Sequence, residues 1–386
     1  MSSPGSATAL RVANRRRVLA ELRDQSGASV SQADLVRLTG LASGTVSSIV
    51  RDLATAGIVA TVAGSGRRGT AVRLARGAGL VAGIDFGHRH IAVAVGDMAG
   101  SVLAEERRPL ASTHEAAEGL GVARDLLDEL LSRVDASASD VRNIGLGLPA
   151  PICDDIVMSS AILPGWVGLN AREVASQELG VPALVENDAN LGALAEFRHG
   201  AGRGHRNLVF VKVSSGVGAG LIVDGSLFRG RDGSAGEIGH LTLDERGPLC
   251  RCGSRGCLEA YASSGTALAM MSDHLPGATF DEVLEAARGG TPAARRVFQD
   301  AGMHLGWGLA ALVNLLSPSV LIVGGEMARA GDLLLEPAIA GLHRHVLPDS
   351  PPTPVVTAQL TERASLVGAL TLAIDATDLV APSGTT

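Results

Sequence analysis

Aromatic residues are almost missing from this chain, with six Phe, two Trp and one Tyr in 386 residues. Its cores must therefore be built from Leu, Val, Ile and Ala, which the 46% hydrophobic share supplies amply. Lysine is scarcer still. Lys212 is the only one, and Arg carries the rest of the basic charge. That bias, with the abundance of Ala and Gly, fits a GC-rich coding sequence and carries no functional message by itself. Long apolar runs are absent too. None reaches the roughly 18 residues a membrane span needs, and the N-terminus lacks the apolar segment of a signal peptide. A cytoplasmic chain without a membrane partner is expected. Of only four cysteines, three fall within eight positions, which suits a metal site in a reducing compartment better than disulfides. The length predicts two or three domains.

Those three cysteines, Cys250, Cys252 and Cys257, follow His240 in GEIGHLTLDERGPLCRCGSRGCLEAY. Three thiolates and one imidazole make a complete tetrahedral set for zinc. Gly253 and Gly256 sit where a chain wrapping a metal needs permissive backbone. The competing reading is reduced cysteines packed as small apolar groups. Glu237 and Glu259 flank the cluster and could hold a polyol.

Charge is unevenly divided. Residues 1–80 hold 11 Arg against 4 acidic residues, a net of +7, and the whole chain is −7, so the remainder carries −14. A basic head on an acidic body suggests that the head meets a polyanion. Residues 14–24 have a helical apolar face of Val18, Leu19 and Leu22. Ser31 is a good N-cap for the next helix and Gly40 a good stop. Ser43 can cap a third, with Val46, Ile49, Val50 and Leu53 inward. The short link through Thr39 and Gly40 fits a helix-turn-helix. In that geometry Ser43, Gly44, Thr45, Ser47 and Ser48 face the major groove, with Arg51 one turn later. Two short strands around 64–69 form a wing with Arg67 and Arg68 at its tip, placed for a minor groove or phosphates. A helical interaction domain with a solvated Arg face is the plainer alternative.

The body shows strand, Gly-containing turn, strand and third strand from Leu80, and the same again from Leu208, about 128 residues later. Each copy offers a small-residue turn whose backbone N–H groups could cradle phosphate. Further strands are expected at 144–148, 183–186, 319–323 and 355–357, with Ala/Leu-rich helices between them. The pattern predicts a duplicated α/β body with a cleft between two lobes.

These segments resemble the ROK family, which groups sugar-responsive repressors and sugar kinases. The resemblance covers roughly residues 15–375 and rests on Gly239-His240 with CxCGxxGCxE from Cys250 to Glu259, and on Glu186-Asn187-Asp188-Ala189-Asn190. It implies an α/β, two-lobed actin-like (ribonuclease-H-like) body preceded by a winged helix-turn-helix. The expected division is 1–76 for the head, 80–190 for the first lobe and 191–363 for the second, with a helix at 364–375 returning to the first. Residues 1–6 and the tail beyond about 375 are expected to be disordered.

The resemblance further implies a sugar held by Asn187, Asp188, Glu237, His240 and Glu259, beside a structural zinc on His240, Cys250, Cys252 and Cys257. Asp188 matches the base of the family's kinases. Their first phosphate loop, DxGGTK, is altered here: Asp85 and Gly87 match, but His88, Arg89 and His90 replace Gly, Thr and Lys. Ser215, Gly216 and Gly218 retain most of the second loop, and Gly324-Gly325 match the adenosine-side turn. ATP binding is therefore not expected. The preferred function is a sugar-responsive transcription regulator, a repressor released by sugar, bound to operator DNA as a homodimer or dimer of dimers. A sugar kinase carrying a DNA-binding head is the alternative, in which Asp188 would be catalytic. A polymer-interaction module without ligand control is a third.

Overall fold

The computed structural model describes residues 7–24, 28–62, 70–111, 113–160 and 162–380. The head comprises helices α1 (Ala7–Asp24), α2 (Gln32–Thr39) and α3 (Ser43–Thr55), with strands β1 (Val30–Ser31), β2 (Val59–Val62) and β3 (Ala71–Leu74). Ser31 caps α2 by accepting from the Asp34 N–H, and Gly40 ends it with φ +64°. This turn sets α3 against α2. The first helix begins at Ala7, seven residues before the expected start, because nothing in ATALRVA breaks a helix. Ser43 is not a cap: Ala42 holds that position without a side-chain bond, so α3 starts one residue early. Strands β2 and β3 pair antiparallel, and β1 adds to β3, making a small three-stranded sheet beside the helices. The connecting segment, with Arg67 and Arg68, lies outside the described residues.

The body contains the same five-stranded sheet twice. In the first lobe β4 (Leu80–Phe86), β5 (His90–Asp97), β6 (Val102–Pro109), β7 (Val141–Leu148) and β10 (Ala183–Asn187) lie in the order β10-β7-β4-β5-β6. Helices α4 (Ala116–Arg133) and α5 (Ala171–Leu179) and the small hairpin of β8 (Ile152–Cys153) and β9 (Ile156–Val157) complete it. Helix α6 (Asp188–His199) crosses to the second lobe. There β11 (Leu208–Val213), β12 (Val217–Val223), β13 (Ser226–Phe228), β14 (Val320–Gly324) and β15 (Val355–Thr357) take the order β13-β12-β11-β14-β15. In each sheet a three-stranded antiparallel meander is extended by two parallel strands. Helices α7 (Glu259–Ala262), α8 (Ser264–Met271), α9 (Phe280–Arg288), α10 (Pro292–Leu316) and α11 (Asp332–His345) cover the second sheet, and α12 (Ala364–Ala376) returns to the first. The expected lobe division at residue 190 falls inside α6, a single helix that serves both lobes.

Strand periodicity decides which helix covers which face. Ala82, Ile84, Phe86, Ile91, Val93 and Val95 join the core around α4. The alternate residues Val81, Ala92 and Ala94 join a cluster with Leu366, Leu370, Ala373 and Ile374 of α12. That cluster also contains Val18, Leu22, Leu35, Val46, Ile49 and Leu53 of the head. One apolar core therefore runs from the helix-turn-helix into the body. The chain beyond α12 is ordered up to residue 380, against expectation. Leu379 is buried, the Asp378 carboxylate pairs with Arg16 of α1, and Arg23 donates to the Thr377 carbonyl at 2.7 Å. Residues 1–6 and 381–386 lie outside the described residues. No helix among the described residues is long and apolar enough to cross a membrane.

Helix α12 lies very close to its neighbours. A Cβ added at Gly145 of β7 would stand 1.9 Å from the Ala369 carbonyl oxygen, and one added at Gly368 would stand 2.0 Å from the Leu191 carbonyl of α6. Gly145→Ala should push α12 off the sheet and cost about 2–3 kcal/mol, measured by denaturant unfolding; an unchanged midpoint would refute that packing.

Candidate functional site

A cleft of about 1540 Å³ opens between the lobes, above the roughly 300–1,000 Å³ usual for small-molecule sites. It receives the C-terminal ends of β4, β10, β11 and β14, the N-terminus of α6 and the cysteine loop. Asn187, Asp188, Glu237, His240 and Glu259 all line it, as do Asp85, Gly87, Ser215, Gly216, Gly218 and Gly325. These residues, far apart in sequence, meet on one cavity.

Asn187 ends β10 and caps α6. Its Oδ1 accepts from the Ala189 and Asn190 N–H groups at 2.9 and 3.1 Å, and its amide donates to the Ala150 carbonyl. Asp188 is the first residue of α6, where the helix dipole favours an anion. Lys212 of β11 donates to its Oδ2 at 2.8 Å and to Ser365 Oγ at 2.9 Å. Burial raises the pKa of Asp188 against the pull of Lys212. Burial also works against the charge on Lys212, but Asp188 and Asp85 outweigh it and the ammonium is held more firmly than usual.

Glu259 is nearly buried and accepts from the Val217 N–H at 3.1 Å and from Arg251 Nε. It thereby ties the cysteine loop to the second glycine-rich turn. Glu237 is pushed up to about 7 by burial, with Asp188 and Glu259 adding repulsion. Its carboxylate is 3.9 Å from His240 Nε2. The other ring nitrogen, Nδ1, is 3.9 Å from Cys250 Sγ.

The ligand atoms of His240, Cys250, Cys252 and Cys257 lie within 4.8 Å of one another. Cys252 and Cys257 sulfurs are 3.7 Å apart. A tetrahedron with zinc–sulfur bonds of about 2.3 Å has edges near 3.8 Å, so the spacing fits a metal of that size. Gly253 and Gly256 take φ of +90° and +63°, the left-handed turns the wrapping requires. Cys153 is half-buried and is not part of this group.

The phosphate-loop matches come together, but side chains cover them. The His90 ring rests on Gly87: an added Cβ there would be 2.0 Å from its Cε1. Arg251 lies over Gly216 and donates to the Ser215 carbonyl. Gly325, with φ +86°, packs against Val213 and Ser214 at the end of β11, beside Gly324 at the end of β14. Arg107 donates to His90 Nδ1 at 3.2 Å. That places the ring proton on Nε2, facing Asp85 at 3.7 Å. Burial opposes the charge on Asp85, yet Lys212, His90 and Arg107 hold its pKa below the usual value.

In the head, Ser43, Gly44, Ser48 and Arg51 are exposed on α3, and Thr45 is half-buried. Ser47 donates to Gln32 of α2 at 3.0 Å, so its hydroxyl is engaged inside the head.

Sequence reasoning gave no role to Lys212, Glu186, Arg229 or Ser365. Glu186 is buried, accepting from Arg229 Nε and the Asn190 amide. A single lysine in the middle of an apolar strand was the available signal.

A duplicated actin-like body with a cleft between its lobes, preceded by a helical N-terminal head, defines the class. The ROK family model matches residues 81–376. The xylose repressor of Bacillus spizizenii is 28% identical over 346 residues, covering 88% of this chain and 89% of the relative. The glucokinase of Streptomyces coelicolor is 34% identical over 319 residues, covering 76% of this chain and 98% of the relative. Among solved structures, a ROK glucokinase from Streptomyces griseus with glucose and AMPPNP aligns with TM-score 0.68 at 32% identity, over 76% of this chain and 99% of its own. A ROK transcriptional regulator, a homologue of the E. coli MLC protein, shares the fold over 95% of this chain and 96% of its own, with TM-score 0.79 at 24% identity. The chain belongs to the ROK family.

Because Asn187 satisfies two N–H groups of α6, Asn187→Ala should cost about 1 kcal/mol of stability. Denaturant unfolding checks this, and no loss would mean that the cap is dispensable.

Proposed function

We propose that the chain is a DNA-binding repressor whose hold on an operator is released by a sugar seated between the lobes. The observation that carries this reading is the reach of the similarity. The xylose repressor alignment covers 88% of this chain, more than the body alone supplies, whereas that with the Streptomyces coelicolor glucokinase covers 76%. Charge agrees, since the head is basic and the body acidic. The exposed first turns of α3, with Ser43, Gly44, Ser48 and Arg51, are placed to meet base edges and phosphates. The shared core between head and α12 gives the cleft a mechanical route to that surface. A sugar acts through this route only if it binds the DNA-competent and DNA-incompetent shapes with different affinity. Helix-turn-helix symmetry supports a homodimer or dimer of dimers on half-sites about one helical turn apart, or a multiple.

For the pocket we infer that Asp188, Glu237, His240 and Glu259 take the sugar hydroxyls, with Asn187 holding the α6 terminus in place. Ionised carboxylates accept paired hydrogen bonds from vicinal hydroxyls, and a protonated Glu237 can donate one instead. Zinc is the metal the Cys3His set suits. Bound there, it would supply the positive charge that lets the thiols ionise; burial first, then the neighbouring thiols and Glu259, push Cys250 up to about 12. His240, whose Nδ1 faces Cys250 Sγ and whose Nε2 faces Glu237, would hold it together with the three thiols, and a full set of protein ligands would make the site structural. The purified protein should carry about one zinc per chain, measured by a colorimetric chelator after denaturation. Cys252→Ser should lose it and melt at lower temperature, and equal zinc in the two proteins would remove the metal from the pocket.

A sugar kinase is the second reading, favoured by Asp188 and by the glucokinase relatives. The His90 ring over Gly87 and Arg251 over Gly216 count against it, because a phosphate needs the bare backbone they cover. Fluorescence anisotropy on promoter fragments, with D-xylose, D-glucose and a wider sugar panel, tests the proposal. One sugar should weaken binding about tenfold or more. No response to any sugar, with ATP turnover that Asp188→Asn abolishes, would replace the repressor with the kinase.

A further inference from the structure

The two carboxylates that a phosphoryl-transferring relative would use, Asp188 and Asp85, share this cleft with the only lysine in the chain. Lys212 reaches up from the buried strand β11 and is itself largely buried. Its ammonium is 2.8 Å from Asp188 Oδ2 and 2.9 Å from Ser365 Oγ, and the Ser365 hydroxyl in turn donates to the Asp188 carbonyl at 2.9 Å. One side chain thus joins the ends of β11, α6 and α12. Asp85 stands close by. The residue is only 3% exposed, and its Oδ1 has no hydrogen-bond partner. Such a group stays charged only beside fixed cations, here Lys212 on one side and the Arg107–His90 pair on the other.

A phosphoryl donor normally arrives with a divalent cation that takes carboxylate or phosphate oxygens at about 2.0–2.1 Å. An ammonium already hydrogen-bonded to Asp188 competes for that oxygen and repels a second cation. A base that must take a proton from a hydroxyl also needs a free oxygen and no cation lowering its basicity.

We propose that Lys212 is a resident cation that fills the metal position of the cleft, excludes divalent metal and the nucleotide it would carry, and leaves Asp188 as a fixed acceptor for a neutral polyol. The proposal rests on reading the cleft as a sugar receptor of kinase ancestry, and it assigns the loss of transfer chemistry to one side chain of β11 as well as to the altered first loop.

The test uses the full-length, zinc-replete protein titrated with Mn2+ and followed by electron paramagnetic resonance. Wild type should show no Mn2+ site that Asp188→Asn removes. Lys212→Thr, which frees the carboxylates and opens space, should gain one site bound about tenfold or more tightly than any in wild type, and Lys212→Thr/Asp188→Asn should lose it. A folded Lys212→Thr protein with native zinc content and no new site would overturn the proposal. If that variant does not fold, wild type against Asp188→Asn still decides: Mn2+ held by wild type and released by Asp188→Asn overturns the resident cation, and equal binding by the two supports it. None of these readouts involves DNA or sugar, so a failed repressor reading leaves them unchanged.

Discussion

The backbone of α12 touches the backbone of the first sheet on one side and that of α6 on the other, and the rest of the molecule is arranged around this contact. Gly145 and Gly368 allow it, since a single methyl group at either would collide with a carbonyl oxygen. Interiors packed this closely transmit displacement instead of absorbing it. The two helices therefore behave as one piece, and both begin at the cleft. The first residue of α6 is Asp188, and the second of α12 is Ser365. Whatever binds Asp188 acts directly on the pair of helices that joins the lobes.

The opposite wall of the cleft is built differently. The cysteine loop has little secondary structure of its own, and its order comes from turns around the three thiols and from Glu259. That carboxylate accepts from the Val217 N–H and from Arg251, whose guanidinium also reaches the Ser215 carbonyl. The His240–cysteine cluster, the second glycine-rich turn and Glu259 thus form one bonded unit. Arg251 both lies over Gly216 and holds Glu259, so one residue covers the bare backbone of the second glycine-rich turn and braces the cysteine loop.

Much of this was legible in the sequence, for specific reasons. The cysteine loop showed itself because metal ligands are rare residue types at short spacing. The duplicated sheet showed itself because Leu80 and Leu208 start strands followed by the same succession of turns. The capping of α2 by Ser31 and its stop at Gly40 are local events written in adjacent residues. Other features are not local. Ser43 looked like a cap, but Ala42 took the position because the packing of Val46 and Ile49 fixes where α3 enters. The segment 376–380 looked like a loose polar tail, and its order comes from α1, more than 350 residues away, through Arg16 and Arg23. Lys212 carried no motif at all. Its meaning depends on Asp188 and Ser365 being brought to it by two helices from different parts of the chain.

The joint between head and body is packed unevenly. Its apolar part, Leu22 and Leu379 among others, is fully packed, but its polar part is not fully satisfied. Arg23 is half-buried, burial lowers its pKa, and its Nε has no hydrogen-bond partner although a terminal nitrogen donates to Thr377. The Arg16–Asp378 pair is exposed, and pairs of that kind add little. A buried donor left unpaired costs about 1–3 kcal/mol, comparable to the roughly 1–3 kcal/mol of coupling that ligand-controlled proteins use. Moving the head so that Arg23 regains water or a new acceptor recovers part of that cost while exposing some of the shared core.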